Sequence, residues 1–180
     1  RTMTEHLLAL GHRQIGFVRG NPQHTASERR WMGFYEAMTD FGIVPDMARV
    51  FQGDFTFRSG LLAAEALLRG PNPPSAIFAS NDEMALGVLT AASAAQIAVP
   101  QSLAIAGFDD AQLARMAWPQ LTTIRQPNVE MAAAAIDLLV ERAPDGGAMQ
   151  ALELPYELVV RASSVEEEAR EAQPKASTGR

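Results

Sequence analysis

Short apolar runs alternate with amphipathic stretches almost from one end of the 180-residue chain to the other. The runs at 14–18, 49–52, 76–79 and 103–106 have the length of buried strands, and each gives way at once to glycine or polar residues. Between them the period changes. Segment 28–41 carries Trp31, Phe34, Tyr35 and Met38 at helical spacing, with Gly42 behind it. Segment 58–69 closes at Gly70 and runs into the stiff connector Pro71-Asn72-Pro73-Pro74. Segment 82–95 reads as a helix opening at Ser80-Asn81-Asp82-Glu83, the pattern of a capping box. At the start, 5–10 reads as the end of a helix stopped by Gly11.

The second half continues in the same manner. A short helix is predicted over 110–117, broken by Trp118-Pro119, then an extended piece over 122–127 and an alanine-rich helix over 128–142. That helix has an apolar stripe of Met131, Ala135, Leu138 and Leu139, expected to be exposed unless a neighbour covers it. Segment 152–158 alternates like a half-buried strand, with Pro155 favouring an edge or bulge. From 164 onward the chain turns charged and polar and is expected to fray. Alternating strands and helices predict an α/β fold, a parallel sheet with helices on both faces.

In such a sheet the carboxyl ends of the strands share one edge, where ligands bind. That edge would carry Arg19, then Asp54 with Phe55, Asn81 with Asp82, and Asp109 with Asp110. Arg30, near the start of the first crossover helix, reaches the same rim, and its fork of donors suits vicinal oxygens or a carboxylate. Donors, acceptors and an aromatic face together suit a small polar ligand. Each residue also has a plainer reading. Asn81, Asp109 and Asp110 fit helix caps, Phe55 fits a core, and Arg30 fits a solvated helix face.

Composition narrows the chemistry. The net charge of -6 and pI near 5.1 make these residues poor binders of a phosphate backbone. No apolar run is long enough to span a bilayer, and the absence of cysteine removes disulfides and thiolate ligands. Gly11 and Gly16 stand at P-loop spacing, but no Lys-Ser/Thr follows and the pair precedes a strand. His6, His12 and His24 form no zinc motif, and no GxSxG elbow is present. Acid–base or magnesium chemistry at Asp82, Asp109 and Asp110 lacks an accompanying nucleophile or phosphate loop. Neither an enzyme nor a cofactor is expected.

Six ordered motifs resemble one family: His6-Leu7-Leu8-Ala9-Leu10-Gly11-His12-Arg13-Gln14-Ile15-Gly16-Phe17, Glu28-Arg29-Arg30-Trp31-Met32-Gly33-Phe34, Gly53-Asp54-Phe55, Ala79-Ser80-Asn81-Asp82-Glu83-Met84-Ala85-Leu86-Gly87, Ala106-Gly107-Phe108-Asp109-Asp110 and Pro119-Gln120-Leu121-Thr122-Thr123-Ile124-Arg125-Gln126-Pro127. Together they resemble the effector-binding region of bacterial transcription regulators of the Lac-repressor/Gal-repressor (LacI/GalR) type, over residues 3–162.

The resemblance implies two subdomains of periplasmic-binding-protein type I, with a small effector held between them. It assigns 1–124 to the C-terminal subdomain, 125–150 to a crossover and helix of the N-terminal subdomain and 151–163 to a returning strand; the polar composition of 164–180 predicts a disordered tail there, outside the resemblance. It also implies a cytoplasmic homodimer acting on DNA through a helix-turn-helix headpiece that would precede Arg1. By the same resemblance Arg30, Phe55, Asn81, Asp109 and Gln126 contact a sugar-like effector, and Leu86, Leu89 and Trp118 lie on the dimer surface. A periplasmic sugar receptor of a transporter uses the same architecture and is the competing expectation.

Overall fold

The computed structural model describes residues 1–141 and 152–166. Its frame is a parallel sheet of four strands in the order β2-β1-β3-β4: β1 Ile15–Arg19, β2 Val50–Gln52, β3 Ala76–Ala79 and β4 Ala104–Ala106. Register is set by Phe17 opposite both Val50 and Phe78, and by Ile77 opposite Ile105. Beside the β4 edge, β5 Thr123–Arg125 pairs antiparallel with β6 Glu157–Val159, and single bridges join Ala106 to Thr122 and Asp109 to Arg125. Thus 152–158 supplies a strand only at its end. Pro155 has no N–H to offer a ladder, and pairing begins two residues later.

Side chains of a strand point alternately to opposite faces, and here both faces are covered. Ile15, Phe17, Ala76, Phe78, Ala104 and Ala106 face one core with α1 (Thr2–Ala9) and α2 (Thr25–Asp40). Val18, Ile77, Ala79 and Ile105 face the other with α3 (Phe57–Leu68) and α4 (Asp82–Ala94). On the first face Phe17 anchors the packing, with ring centroids 4.7 Å from Phe34 and 5.3 Å from Phe78. On the second, α3 and α4 approach until Gly60 lies against the Met84 backbone and Gly87 against the backbone of Phe57 and Leu61.

Three boundaries differ from expectation for local reasons. Helix α2 starts at Thr25, not 28, because an Asn21-centred turn leads into it: Asn21 Oδ1 accepts from the Gln23 amide, and its carbonyl accepts from the His24 amide. Helix α5 is only Gln112–Met116, because Asp109 and Asp110 have φ of 115° and 51° and cannot open a right-handed helix. The tail does not begin at 164. Ser163, Ser164 and Val165 are buried, and Ser164 Oγ lies 2.7 Å from Thr122 Oγ1 and 3.0 Å from His6 Nε2.

Helix α6 (Asn128–Glu141) keeps its expected start. Of its apolar stripe, Met131, Ala135 and Leu139 are exposed and Leu138 is half-buried. The expected helix end at 142, most of the linker to 151 and the tail from 167 lie outside the described residues. Among the described residues, no helix is long and apolar enough to cross a membrane.

Candidate functional site

Strands β1 and β3 lie side by side, with β2 beyond one and β4 beyond the other. Chain connections therefore leave their carboxyl ends in opposite directions, and a crevice opens there. Gly20 follows β1, and Ser80 and Asn81 follow β3. A cavity of about 410 Å³ lies nearby, walled in part by Arg30, Phe108, Gln126, Met131, Leu154 and Tyr156. It falls in the range of roughly 300–1,000 Å³ common for small-ligand pockets. The period-2 pattern at 152–156 places Leu152, Leu154 and Tyr156 on this wall, although those residues pair with no strand.

Arg30 organises the site from the second turn of α2. Its guanidinium lies 3.9 Å from the Phe108 ring centroid and 5.7 Å from that of Phe55. Nη1 donates to the Ser80 carbonyl at 2.6 Å, and Nη2 makes a long 3.4 Å contact with Asp109 Oδ1. A guanidinium has five N–H donors, so three remain without an acceptor among the described residues. The Asp109 carboxylate is arranged in the complementary way. Its Oδ1 also accepts from Gln126 Nε2 at 2.8 Å, while Oδ2 has no donor among the described residues. Burial lowers the Arg30 pKa, an effect opposed by the carboxylates of Asp109 and Asp82. Burial raises that of Asp109 against the opposing pull of Arg30 and the Gln126 hydrogen bond. The site thus holds a stacked cation with spare donors beside an anion with a spare acceptor.

Phe55 and Asn81 sit beside this pair rather than on the cavity wall. Phe55 has φ of 76°, its ring packs over Gly20, and it meets His24 edge-on at 5.7 Å. Asn81 caps α4, with Oδ1 accepting from the Met84 amide at 2.9 Å, while its Nδ2 donates to the Phe55 carbonyl, also at 2.9 Å. The cap therefore belongs to Asn81 and not to Ser80, whose Oγ donates to the Val18 carbonyl. The sequence alone does not single out Phe108 as a ligand contact. The signal was its place before Asp109 at a strand end, where an aromatic side chain reads as readily as core.

A family model described as "Periplasmic binding protein-like domain" matches residues 4–164. The chain belongs to this periplasmic-binding-protein-like family. It is homologous to LacI-family repressors. The ribose operon repressor of Escherichia coli (strain K12) is 41% identical over 140 residues, which is 77% of this chain and 42% of that protein. The HTH-type transcriptional regulator DegA of Bacillus subtilis (strain 168) is 40% identical over 168 residues, 89% of this chain and 48% of that one. A sugar-binding transcriptional regulator (LacI family) from Escherichia coli, solved in complex with phosphate, superposes with a TM-score of 0.83 at 29% identity, covering 91% of this chain and 59% of that chain. The chain spans under half the length of the two curated relatives.

Other rim residues of this family member are turned to structural work. Arg19 pairs with Glu28 and lies 5.2 Å from the Trp31 ring centroid, and Asp54 closes a turn onto the Thr56 amide at 2.9 Å. Asp82 is buried, accepting from Thr123 Oγ1 at 2.6 Å and the Ala111 amide at 2.8 Å; burial raises its pKa to about 6 despite those bonds. Asp110 is caged by Arg161, Arg125 and Arg115. Burial pushes its pKa up, but the three guanidinium hydrogen bonds prevail and hold it at about 2. Neither Asp109 nor Asp110 caps α5.

On the expected dimer surface, Leu89 is a correction: at 6% exposure it belongs to the core between α3 and α4. Leu86 is partly buried against the same core. Trp118, 87% exposed, is the one of the three that offers open surface.

Proposed function

We propose that this chain is the effector-sensing part of a cytoplasmic transcription regulator that binds a sugar or sugar derivative at the Arg30–Asp109 pair. The observation that carries the reading is the pairing of three guanidinium donors with Asp109 Oδ2, all without partners among the described residues, over the Phe108 ring. Adjacent hydroxyls of a sugar both donate and accept, and can engage both groups at once. The apolar ring face then covers the ligand's C–H surface. Homology to repressors, one solved relative among them a sugar-binding regulator, supports the same class. Operator binding is assigned to a helix-turn-helix headpiece, because the acidic residues described here suit no phosphate backbone.

Sensing requires that ligand favour one arrangement of the protein over another, with coupling of about 1–3 kcal/mol typical. The exposed Trp118 supports self-association through the surface around it.

Calorimetry on the intact protein, with a panel of pentoses, hexoses, nucleosides and sugar phosphates, tests this reading together with operator binding in a gel-shift assay. One class is expected to bind and to change operator affinity. Arg30→Ala should weaken ligand binding about 10- to 100-fold, the loss of hydrogen bonds to a charged group. Failure of the whole panel, or unchanged binding by the variant, would overturn the proposal.

A further inference from the structure

We propose that Arg29 is an anion-binding residue of the cavity and that the ligand is a phosphorylated sugar, its phosphate held by Arg29 and its hydroxyls by Arg30 and Asp109. This rests on the sugar-sensing reading of the Arg30–Asp109 site. The starting observation is the charge on the cavity wall. Among the described residues that wall carries Arg1, Arg29 and Arg30 and no aspartate or glutamate. The chain as a whole has more acidic than basic side chains, so the imbalance is local.

Two of the three cations are compensated nearby. Arg1 pairs with Glu5 at 2.7 Å and with Asp40 at 2.8 Å. Arg30 donates to the Ser80 carbonyl and meets Asp109. Arg29 has neither an ion pair nor a hydrogen bond among the described residues, and its surroundings on α2 show why. Side chains three or four residues away on a helix are the ones that meet, and those positions hold Thr25, Ala26, Met32 and Gly33. Glu28, the adjacent carboxylate, is engaged by Arg19. Arg29 shares the wall with Met131, Leu152 and Leu154. Beside such apolar surface a charge attracts its opposite more strongly than in open water.

The two adjacent arginines address different parts of a ligand. Successive side chains leave a helix about 100° apart, and Arg30 is already stacked on Phe108 and turned to Asp109. The Asp109 carboxylate repels an anion and accepts from hydroxyls. Hydroxyls therefore belong at Arg30 and Asp109, and an anionic group at Arg29. A ligand built this way is a sugar phosphate or a sugar acid. Phosphate is the better match, because it carries a charge of about −1.5 to −2 at pH 7 and three strong acceptor oxygens. A guanidinium fork takes two of them. The third has a donor on the same wall: the hydroxyls of Thr2 and Tyr156 lie 2.7 Å apart, one proton joins them, and the other is left to donate.

The test is calorimetry on the intact protein with matched pairs: D-ribose and ribose 5-phosphate, D-glucose and glucose 6-phosphate, D-fructose and fructose 6-phosphate, with glucuronate as the sugar acid. In one pair the phosphate should bind about 10- to 100-fold more tightly than its parent. Arg29→Gln should bring that phosphate down to the affinity of its parent, and Arg29→Lys should keep part of the preference. Arg69→Gln removes the same charge from an exposed site off the cavity wall, and should keep all of it.

A parent sugar that binds as tightly as its phosphate would overturn the proposal and leave the sensing reading standing. So would a preference that survives Arg29→Gln, or one lost equally in Arg69→Gln. Glucuronate bound more tightly than glucose 6-phosphate would replace phosphate by carboxylate, and would also overturn it. If no member of any pair binds, the sensing reading fails, and the line width of inorganic phosphate in ³¹P NMR decides the anion site alone. Broadening by the wild type and not by Arg29→Gln would support Arg29 as its ligand; no broadening, or equal broadening by both, would overturn it.

Discussion

Asp109 and Asp110 are chemically identical neighbours with opposite fates. The Asp109 side chain is 36% exposed and faces Arg30 and Gln126, whereas that of Asp110 is fully buried among three arginines. Their left-handed backbones separate the two side chains, and the decisive partner of Asp110, Arg161, lies 51 residues away. Sequence could place both at a strand end but could not assign their partners. Asp110→Asn leaves the buried Arg161 short of its counter-charge, and breaking such a pair costs about 3–5 kcal/mol. Urea unfolding of this variant should show that loss. Asp109→Asn, whose carboxylate is partly exposed, should change stability much less; near-equal losses would contradict the division of labour. Leu89 teaches the same lesson: a helix leucine reads equally as core or contact until the facing helix is known.

At the scale of elements, β3 occupies the predicted residues 76–79, since a short all-apolar run between polar stops has few other homes. The 152–158 run was harder to read, because its alternation serves a cavity wall for most of its length and a ladder only at the end. The α3–α4 contact depends on glycines whose importance no local pattern revealed. At Gly87 a Cβ would run into the backbone of Phe57 and Leu61, which cannot move aside as a flexible side chain can. Gly87→Ala should therefore destabilise by about 1–3 kcal/mol, net of the better helix propensity of alanine. Gly70→Ala is the control, since there a Cβ would meet nothing nearer than 3.6 Å. Thermal unfolding of both variants checks this, and equal effects would refute the close-packing account.

For the whole molecule, a half-buried histidine and a buried aspartate give stability opposite dependences on pH. Burial, helped by repulsion from His12, lowers His6 from 6.5 to about 4. Its folded value lies below the unfolded one, so its contribution is present above pH 6.5 and is lost as pH falls through 4. Asp82 is raised by burial from 3.8 to about 6, so its contribution is present below pH 3.8 and is lost as pH rises through 6. Between about pH 4 and 6 the slopes, each up to about 1.4 kcal/mol per pH unit, oppose one another. His6→Gln should leave a protein that weakens as pH rises across this window, and Asp82→Asn one that weakens as pH falls. The wild-type profile should be flatter than either. Urea midpoints at half-unit pH steps would show it, and a wild-type slope as steep as a variant's would refute the cancellation.

The sequence alone determined the α/β class, the strand–helix order, the family and the set of residues gathered at one edge of the sheet. Those follow from local periodicity, from the stops that end each run and from motifs carried in a fixed order. Only the tertiary structure decided which rim residues face the cavity and which hold the frame. It gave Arg30 the Phe108 ring, sent Asp82 and Asp110 inward, moved Leu89 into the core and kept Ser163 and Ser164 bonded to β4, Thr122 and α1. The reason is that a polar side chain at a strand end satisfies itself with whichever partner the fold brings near. The partners here are Thr123 for Asp82, Arg161 for Asp110 and Phe55 for Asn81, all tens of residues away along the chain.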